Sequence, residues 1–419
     1  MRRHASAGPL VAVLLLALAL SALAARQTPA GPRPLDLQVR ALESPAAPGS
    51  GEPQLSVSSR GVLLSWIERA GRLATLKFSE RTTAGWSEPR AVASGENWFV
   101  NWADVPSVLR LSDGTLVGHW LQKSGPGTYA YDVRLSYSKD DGRTWGASFT
   151  PHHDGTQTEH GFASLVEMPG GGLGLVWLDG RAMAPASPGA APGPMALRFA
   201  TFDRAWRQTS ETSVDDRVCE CCPTTAAVTS EGAIVAYRDR SGDEIRDIYV
   251  SRFESGAWTS PRAVHEDRWQ INACPVNGPM LAARGKDVAL AWFHGKDGEG
   301  RTFVAFSGDA GRTFGAPVRL DDRGALGRVD VELLPDESAL ASWIEYADRR
   351  AEVRMRRVDR TGARSASVLV APVASSRASG YPRLARHGDD VILAWTETVT
   401  TASGVDALRV ATASARLPR

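Results

Sequence analysis

Two octapeptides decide the fold of this chain: SKDDGRTW at residues 138–145 and SGDAGRTF at residues 307–314. Both follow the pattern Ser-x-Asp-x-Gly-x-Thr-aromatic, and each comes directly after an alternating strand pattern, VRLSYS or FVAFS. The pattern suits the tip of a β-hairpin, because the Asp carboxylate can accept turn amide hydrogens and the Gly can take a positive φ. The residues in these roles are Asp140, Gly142 and Trp145 in the first copy and Asp309, Gly311 and Phe314 in the second.

A second pattern recurs along the chain, a turn followed by apolar residues and an aromatic, as in RGVLLSW and GDDVILAW. The closing aromatics are Trp66, Trp120, Trp177, Tyr237, Trp292, Trp343 and Trp395. Their spacing of roughly 50–60 residues is typical of one four-stranded propeller blade with its loops. The chain is therefore predicted to be an all-β, seven-bladed β-propeller with antiparallel blades. We expect a strand within residues 35–42 to complete the last blade, which ends before a fourth strand, and so to close the ring.

The octapeptides are Asp-boxes, and the chain resembles the Asp-box (bacterial neuraminidase repeat) β-propellers of the sialidase superfamily. Sialidases usually have six blades, so a six-bladed ring is the alternative architecture. The resemblance implies a glycan or another small anionic molecule as ligand, and a sialidase-type glycoside hydrolase if the protein is an enzyme. The Phe/Tyr-Arg-Ile-Pro motif that carries the first sialidase arginine is absent, since the first blade reads EPQLSVS. A non-catalytic propeller that binds a glycan or a protein is the alternative.

Strand order places the candidate site. Loops that enter the first strand of a blade and loops that leave the second lie on one face of the disc, and the Asp-box tips lie on the other, which favours a structural role for the Asp-boxes. Sialidases hold a carboxylate with three arginines and use an Asp acid/base and a Tyr–Glu nucleophile pair. The resemblance implies Asp104 as acid/base, Tyr381 with Glu345 as the nucleophile pair, and Arg181, Arg238, Arg328 and Arg383 as the clamp. Ion pairs that join the loops are the competing interpretation of these charges.

Four cysteines fall on the same face. Cys219, Cys221 and Cys222 lie at the entry to blade four, and Cys274 lies at the entry to blade five. Two disulfides are one interpretation in an exported protein. A soft metal such as copper or zinc is another, because three sulfurs stand within four residues. The second alternative function is therefore a metal-binding or redox protein centred on these cysteines.

The N-terminus predicts export. Residues 1–25 have a basic start, an apolar stretch and the sequence ALA, as in a signal peptide; residues 26–34 are a linker, and residues 35–419 form one propeller domain. The expected location is the periplasm or the medium. With 48 Lys and Arg against 47 Asp and Glu, neither nucleic acid nor a membrane surface is expected as a partner. We expect a monomer.

Overall fold

The structure is a computed structural model that describes Met1 and residues 37–418, except residues 186, 188, 401–403 and 405. The predicted signal peptide, beyond Met1, and the predicted linker lie outside the described residues. Within the described part of the chain, no helix is long and apolar enough to cross a membrane.

Seven antiparallel sheets follow one another along the chain, which confirms the seven-bladed β-propeller and not the six-bladed alternative. Blade one consists of β2 (Ser50–Ser58), β3 (Gly61–Ala70), β4 (Leu73–Thr82), β5 (Gly85–Trp86) and β6 (Arg90–Gly95). Blade two consists of β7 (Ser107–Arg110), β8 (Leu116–Lys123) and β9 (Tyr131–Ser138). Blade three consists of β10 (His160–Glu167), β11 (Leu173–Asp179), β12 (Ala196–Phe202) and β13 (Gln208–Asp215). Blade two has a bridge between Leu135 and Phe149 where the other blades have a fourth strand.

The remaining blades have the same order. Blade four consists of β14 (Thr225–Thr229), β15 (Gly232–Arg238), β16 (Ile248–Glu254), β17 (Ala257–Trp258) and β18 (Arg262–Ala263). Blade five consists of β19 (Met280–Arg284), β20 (Asp287–His294), β21 (Arg301–Ser307) and β22 (Val318–Arg319). Blade six consists of β23 (Ala325–Leu333), β24 (Ala339–Ala347), β25 (Arg350–Val358) and β26 (Val368–Val373). Blade seven consists of β27 (Arg383–His387), β28 (Asp390–Thr400), β29 (Asp406–Arg416) and β1 (Arg40–Leu42). Short 3₁₀ turns occur at Arg181–Met183, Lys296–Gly298 and Arg377–Ser379.

The ring closes as expected. Strand β1 pairs antiparallel with β29, with Arg40 opposite Ser414 and Leu42 opposite Thr412. The N-terminal strand therefore covers the free edge of β29, which would otherwise expose unpaired backbone groups.

The repeated aromatics hold the blades together. All seven lie on the second strand of their blade and are at most 6% exposed. Trp343, for example, packs between blades five and six with Trp269, Phe293 and Val329. The aromatic period found in the sequence is therefore the period of the core between blades.

The two octapeptides form nearly identical turns. In the first, Ser138 Oγ donates to Asp140 Oδ1 at 2.8 Å, and the Thr144 amide donates to the same oxygen at 2.9 Å. In the second, Ser307 Oγ and the Thr313 amide make the same bonds to Asp309, at 2.7 and 2.9 Å. The glycines have φ values of 79° and 81°. The carboxylates are used within their own turns, which supports a structural role.

Candidate functional site

The central channel is lined by the innermost strands and holds a cavity of about 190 Å³. Two predicted site residues, Asp104 and Arg383, are in its lining. The Arg383 Nε atom and the Gln54 Oε1 atom are buried without a hydrogen-bond partner among the described residues. Two residues of the cavity lining therefore each have one buried polar atom without a partner in the described part of the chain.

The four cysteines form one cluster on the channel face. Cys219 Sγ lies 3.4 Å from Cys222 Sγ and 3.7 Å from Cys221 Sγ. Cys274 lies beside this group, since Cys221 lowers the pKa of its thiol, but its sulfur is not one of the three that lie within 4.8 Å of one another. All four are free thiols, since a disulfide requires about 2.05 Å between sulfurs. Cys219 and Cys222 are buried, Cys221 is half-buried and Cys274 is exposed, so the cluster opens to solvent on one side.

A guanidinium group contacts the buried end of the cluster. Arg246 donates to Cys219 Sγ at 3.2 Å and also binds Glu244 at 2.8 Å. Burial raises the pKa of the Cys219 thiol, but hydrogen bonds from Cys221 and Cys222 lower it well below the usual value. A thiolate at Cys219 therefore has donors around it. The sequence analysis did not identify Arg246 as a site residue, although it stands in the charged run after β15.

The two cysteine segments fit closely because of a glycine. Gly278 directly follows the loop of residues 272–277, and Pro223 directly follows Cys222. A Cβ on Gly278 would lie 1.9 Å from the carbonyl oxygen of Pro223. Only glycine allows the two backbones to approach this closely. The loop of residues 272–277, here called the Cys274 loop, is therefore pressed against the turn that carries the other three cysteines.

Three of the predicted sialidase-type residues anchor this loop. Arg238 donates from Nε to the carbonyl oxygen of Asn277 at 2.9 Å, and from its other nitrogens to the carbonyl oxygens of Arg246 and Phe293. Tyr381 donates its hydroxyl to the carbonyl oxygen of Val276 at 2.6 Å. The Arg328 amide donates to Asn277 Oδ1 at 2.7 Å. Blades four, six and seven thus hold the Cys274 loop in place.

The remaining arginines also have protein partners. The Arg328 guanidinium donates to Ser379 Oγ and to the Gly380 carbonyl oxygen, and lies 4.7 Å from the Trp102 ring. Arg181 makes a two-pronged ion pair with Asp179, with both N–O distances 2.7 Å. Arg383 lies 5.3 Å from the Tyr381 ring and contacts Met280. Of the four clamp candidates, Arg383 faces the cavity.

The predicted nucleophile pair has two separate sets of partners. Glu345 Oε2 accepts hydrogen bonds from Trp343 Nε1 at 2.9 Å and from the Asp322 amide at 3.1 Å. Tyr381 is bound to Val276, as described above, and stacks on Trp102 at 5.8 Å between ring centroids. Each side chain is explained by its own structural contacts.

Asp104 belongs to a buried hydrogen-bonded group. Its carboxyl group accepts from the Phe162 amide at 2.7 Å and lies 3.0 Å from the Tyr131 hydroxyl, which in turn donates to Glu159 at 2.6 Å. Burial raises the pKa of Asp104 to about 8 and that of Glu159 to about 7. Tyr131 was not among the site residues predicted from the sequence, because those residues stand in loops around the first two strands of a blade and Tyr131 begins a third strand.

Comparison with known proteins identifies the fold. No protein-family model matches the chain, and no curated protein matches it. A Dyadobacter fermentans protein of unknown function superposes with a TM-score of 0.52 at 14% identity, over 93% of this chain and 100% of that one. The polysaccharide lyase Uly1 superposes with a TM-score of 0.55 at 12% identity, over 88% and 90% of the two chains. The NanB sialidase of Streptococcus pneumoniae gives 0.46 at 8% identity, over 92% and 98%.

These likenesses show the fold, a β-propeller. At such low identities they show the architecture alone, and function has to be argued from the site.

Proposed function

We propose that the channel face of this protein binds a soft metal ion, Cu(I) or Zn(II), through the thiolates of Cys219, Cys221 and Cys222, with Cys274 as fourth ligand. The spacing of the sulfurs carries this proposal. Zinc–thiolate bonds of about 2.3 Å in a tetrahedron place the sulfurs about 3.8 Å apart. The 3.4 and 3.7 Å separations around Cys219 are close to that edge. Soft thiolates select these metals over magnesium or calcium.

The surroundings of the sulfurs support the proposal. Arg246 supplies a charged donor to Cys219 Sγ, which favours the thiolate form that a metal requires. The hydrogen bonds from Arg238 and Tyr381 hold the Cys274 loop next to the other cysteines without a disulfide. A site fixed by its neighbours loses less freedom when the metal binds.

Metal analysis of the full chain, purified without reductant or chelator, tests the proposal. We expect at least one copper or zinc ion per chain, and one fewer in the Cys219→Ser/Cys222→Ser variant. In competition with a Cu(I) chelator, Cys219→Ser and Cys222→Ser should each weaken binding by at least about tenfold, a loss of about 1.4 kcal/mol. The control is Met280→Leu, which removes a sulfur donor outside the cluster and should leave binding unchanged. Two disulfides in non-reducing mass spectrometry, or four thiols that cannot compete with the chelator, would contradict the proposal.

A carbohydrate ligand in the channel is the second candidate function. Arg383 and Gln54 line the 190 Å³ cavity, and a sugar hydroxyl can bond to donors and acceptors of the kinds that their side chains carry. One solved structure with this fold is a polysaccharide lyase. A glycan array and a panel of fluorogenic glycosides test this function. Binding that Gln54→Leu abolishes, while the metal content stays unchanged, would establish it as a separate activity.

A further inference from the structure

A second group of metal-binding side chains lies between blades two and three. His152 and His160 stack with ring centroids 3.8 Å apart, and both are almost fully buried, at 5% and 0% exposure. Asp132 Oδ1 lies 3.4 Å from His160 Nδ1 and 3.8 Å from His152 Nε2. Two imidazole nitrogens and one carboxylate oxygen thus lie within 4.8 Å of one another, in a group here called the Asp–His site.

The three converging atoms have unmet bonding capacity. Asp132 Oδ1, His152 Nε2 and His160 Nδ1 are buried and make no hydrogen bond within the described residues. Buried polar groups almost always have a hydrogen-bond partner, so three neighbouring atoms without one require an explanation. We propose that these three atoms bind a divalent transition metal of the zinc type, at a site distinct from the cysteine cluster.

The outer contacts fit this assignment. Asp154 Oδ2 lies 3.0 Å from His152 Nδ1 and 3.2 Å from His160 Nε2, the ring nitrogens that point away from the proposed metal. Asp154 Oδ1 is fixed by the Thr156 amide at 3.0 Å. A carboxylate that accepts the second N–H of a ligating imidazole sets its tautomer and orientation. Asp154 does this for His152, whose Nδ1 hydrogen-bonds to it. His160 Nε2 lies within ion-pair distance of the same oxygen but makes no hydrogen bond within the described residues.

The spacing and the charge fit as well. Nitrogen and oxygen ligands at about 2.0–2.1 Å from zinc are about 2.9–3.4 Å apart, close to the 3.4 and 3.8 Å distances from Asp132 Oδ1 to the two imidazole nitrogens. The two rings are nearly parallel, at 9°, so at least one ring has to rotate before both nitrogens can direct their lone pairs at one ion. The adjoining side chains carry more negative than positive charge. They are the carboxylates of Asp132, Asp154, Asp179 and Glu211 and the guanidinium groups of Arg181 and Arg198. With neutral imidazoles this leaves two negative charges, which a divalent cation neutralises.

A related pair of residues provides a matched control. The sequence HHD at residues 152–154 has a counterpart, HED, at residues 265–267. His265 Nδ1 lies 2.8 Å from Asp267 Oδ1, as His152 Nδ1 lies near Asp154, but the His265 ring is not part of a group of three metal-binding side chains within the described residues. His265→Gln therefore removes a similar His–Asp pair without a metal site.

Zinc binding to the full chain tests the inference. In a Cys219→Ser/Cys222→Ser background, which disables the soft site, calorimetry should show one zinc ion per chain. Asp132→Asn should weaken it by at least about tenfold, and Asp154→Asn by about 10–100-fold. His265→Gln should leave it unchanged. Asp132→Asn is the decisive variant for the Asp–His site. The change is nearly isosteric and Asp132 is part-exposed, so this variant should disturb folding less than the others.

X-ray absorption separates the two sites in the wild-type chain and does not depend on the cysteine variants. Zinc in the Asp–His site should show nitrogen and oxygen neighbours with imidazole scattering, whereas zinc in the cysteine cluster should show sulfur. The inference is overturned if loaded wild-type protein shows sulfur neighbours alone, or if Asp132→Asn binds zinc as tightly as its parent. Failure of the cysteine site would leave the imidazole signal in place.

Discussion

Asp104→Asn should make the protein more stable at neutral and alkaline pH. The carboxyl group is 1% exposed, and burial raises its pKa to about 8 from 3.8. The folded state therefore keeps a proton that the unfolded state loses, and wild-type stability falls as the pH rises from about 4 to about 8. At about 1.4 kcal/mol per pKa unit, the cost is about 4 kcal/mol at pH 7 and about 6 kcal/mol above pH 8, as upper values.

Asparagine suits this position because it has the shape of the protonated acid. Its carbonyl oxygen can accept from the Phe162 amide, and its NH₂ group can donate to the Tyr131 oxygen while that hydroxyl donates to Glu159. Guanidinium denaturation at pH 5, 7 and 9 measures the effect. The variant should gain stability over the wild type as the pH rises. The control is Asp203→Asn, where hydrogen bonds from Arg207 lower the carboxylate pKa, and it should gain nothing. An equal difference at all three pH values would refute the reasoning.

Three further changes test the fold. Gly311→Ala should lower the free energy of unfolding by about 2–4 kcal/mol, because φ is 81° and the new Cβ would lie 2.3 Å from Ile234. The control is Gly285→Ala, where φ is 61° and the space around the new Cβ is open, and thermal unfolding should show a loss of about 1–2 kcal/mol. Arg328→Met should lower the free energy of unfolding by about 2 kcal/mol or more and leave the metal content unchanged. If the variant is as stable as the wild type but no longer binds a glycan, Arg328 is a substrate-binding arginine, as the resemblance to sialidases implies. Deletion of residues 1–46 should expose β29 and produce oligomers in size-exclusion chromatography, and a stable monomer would show that closure by β1 is dispensable.

The fold could be predicted because it repeats. Each blade has to bury an aromatic on its second strand, so the period of Trp66, Trp120 and the later members was visible in the sequence without knowledge of any contact. The turn chemistry of Asp140 and Asp309 is local and was equally visible. The missing fourth strand of blade two was not predicted, because Phe149 pairs with Leu135 through a single bridge that leaves no strand-length pattern.

The position of the candidate site could be predicted from the sequence, but the roles of its residues could not. Strand order correctly placed the cysteines of two blades on one face, and the structure brings Cys274 to Cys221. The roles of single residues depend on distances across blades that no spacing encodes. The resemblance implies a substrate-site role for Tyr381 and Arg238, and the distances show that both also hold the Cys274 loop through backbone carbonyl oxygens. The Asp–His site was missed because Asp132 stands on a third strand and His152 in the loop before blade three.

The partners of the buried charges bear on the kind of ligand. A buried guanidinium is costly unless it is paired, and several arginines on one face would suggest an anion if they were free. Arg238 and Arg328 are not free, because carbonyl and hydroxyl oxygens of the protein already accept their hydrogen bonds. Among the described residues, the groups left without partners at the Asp–His site are imidazole nitrogens and a carboxylate oxygen, and the Cys219 and Cys222 sulfurs are 3.4 Å apart. Such groups bind cations, and this agrees with the metal sites proposed above.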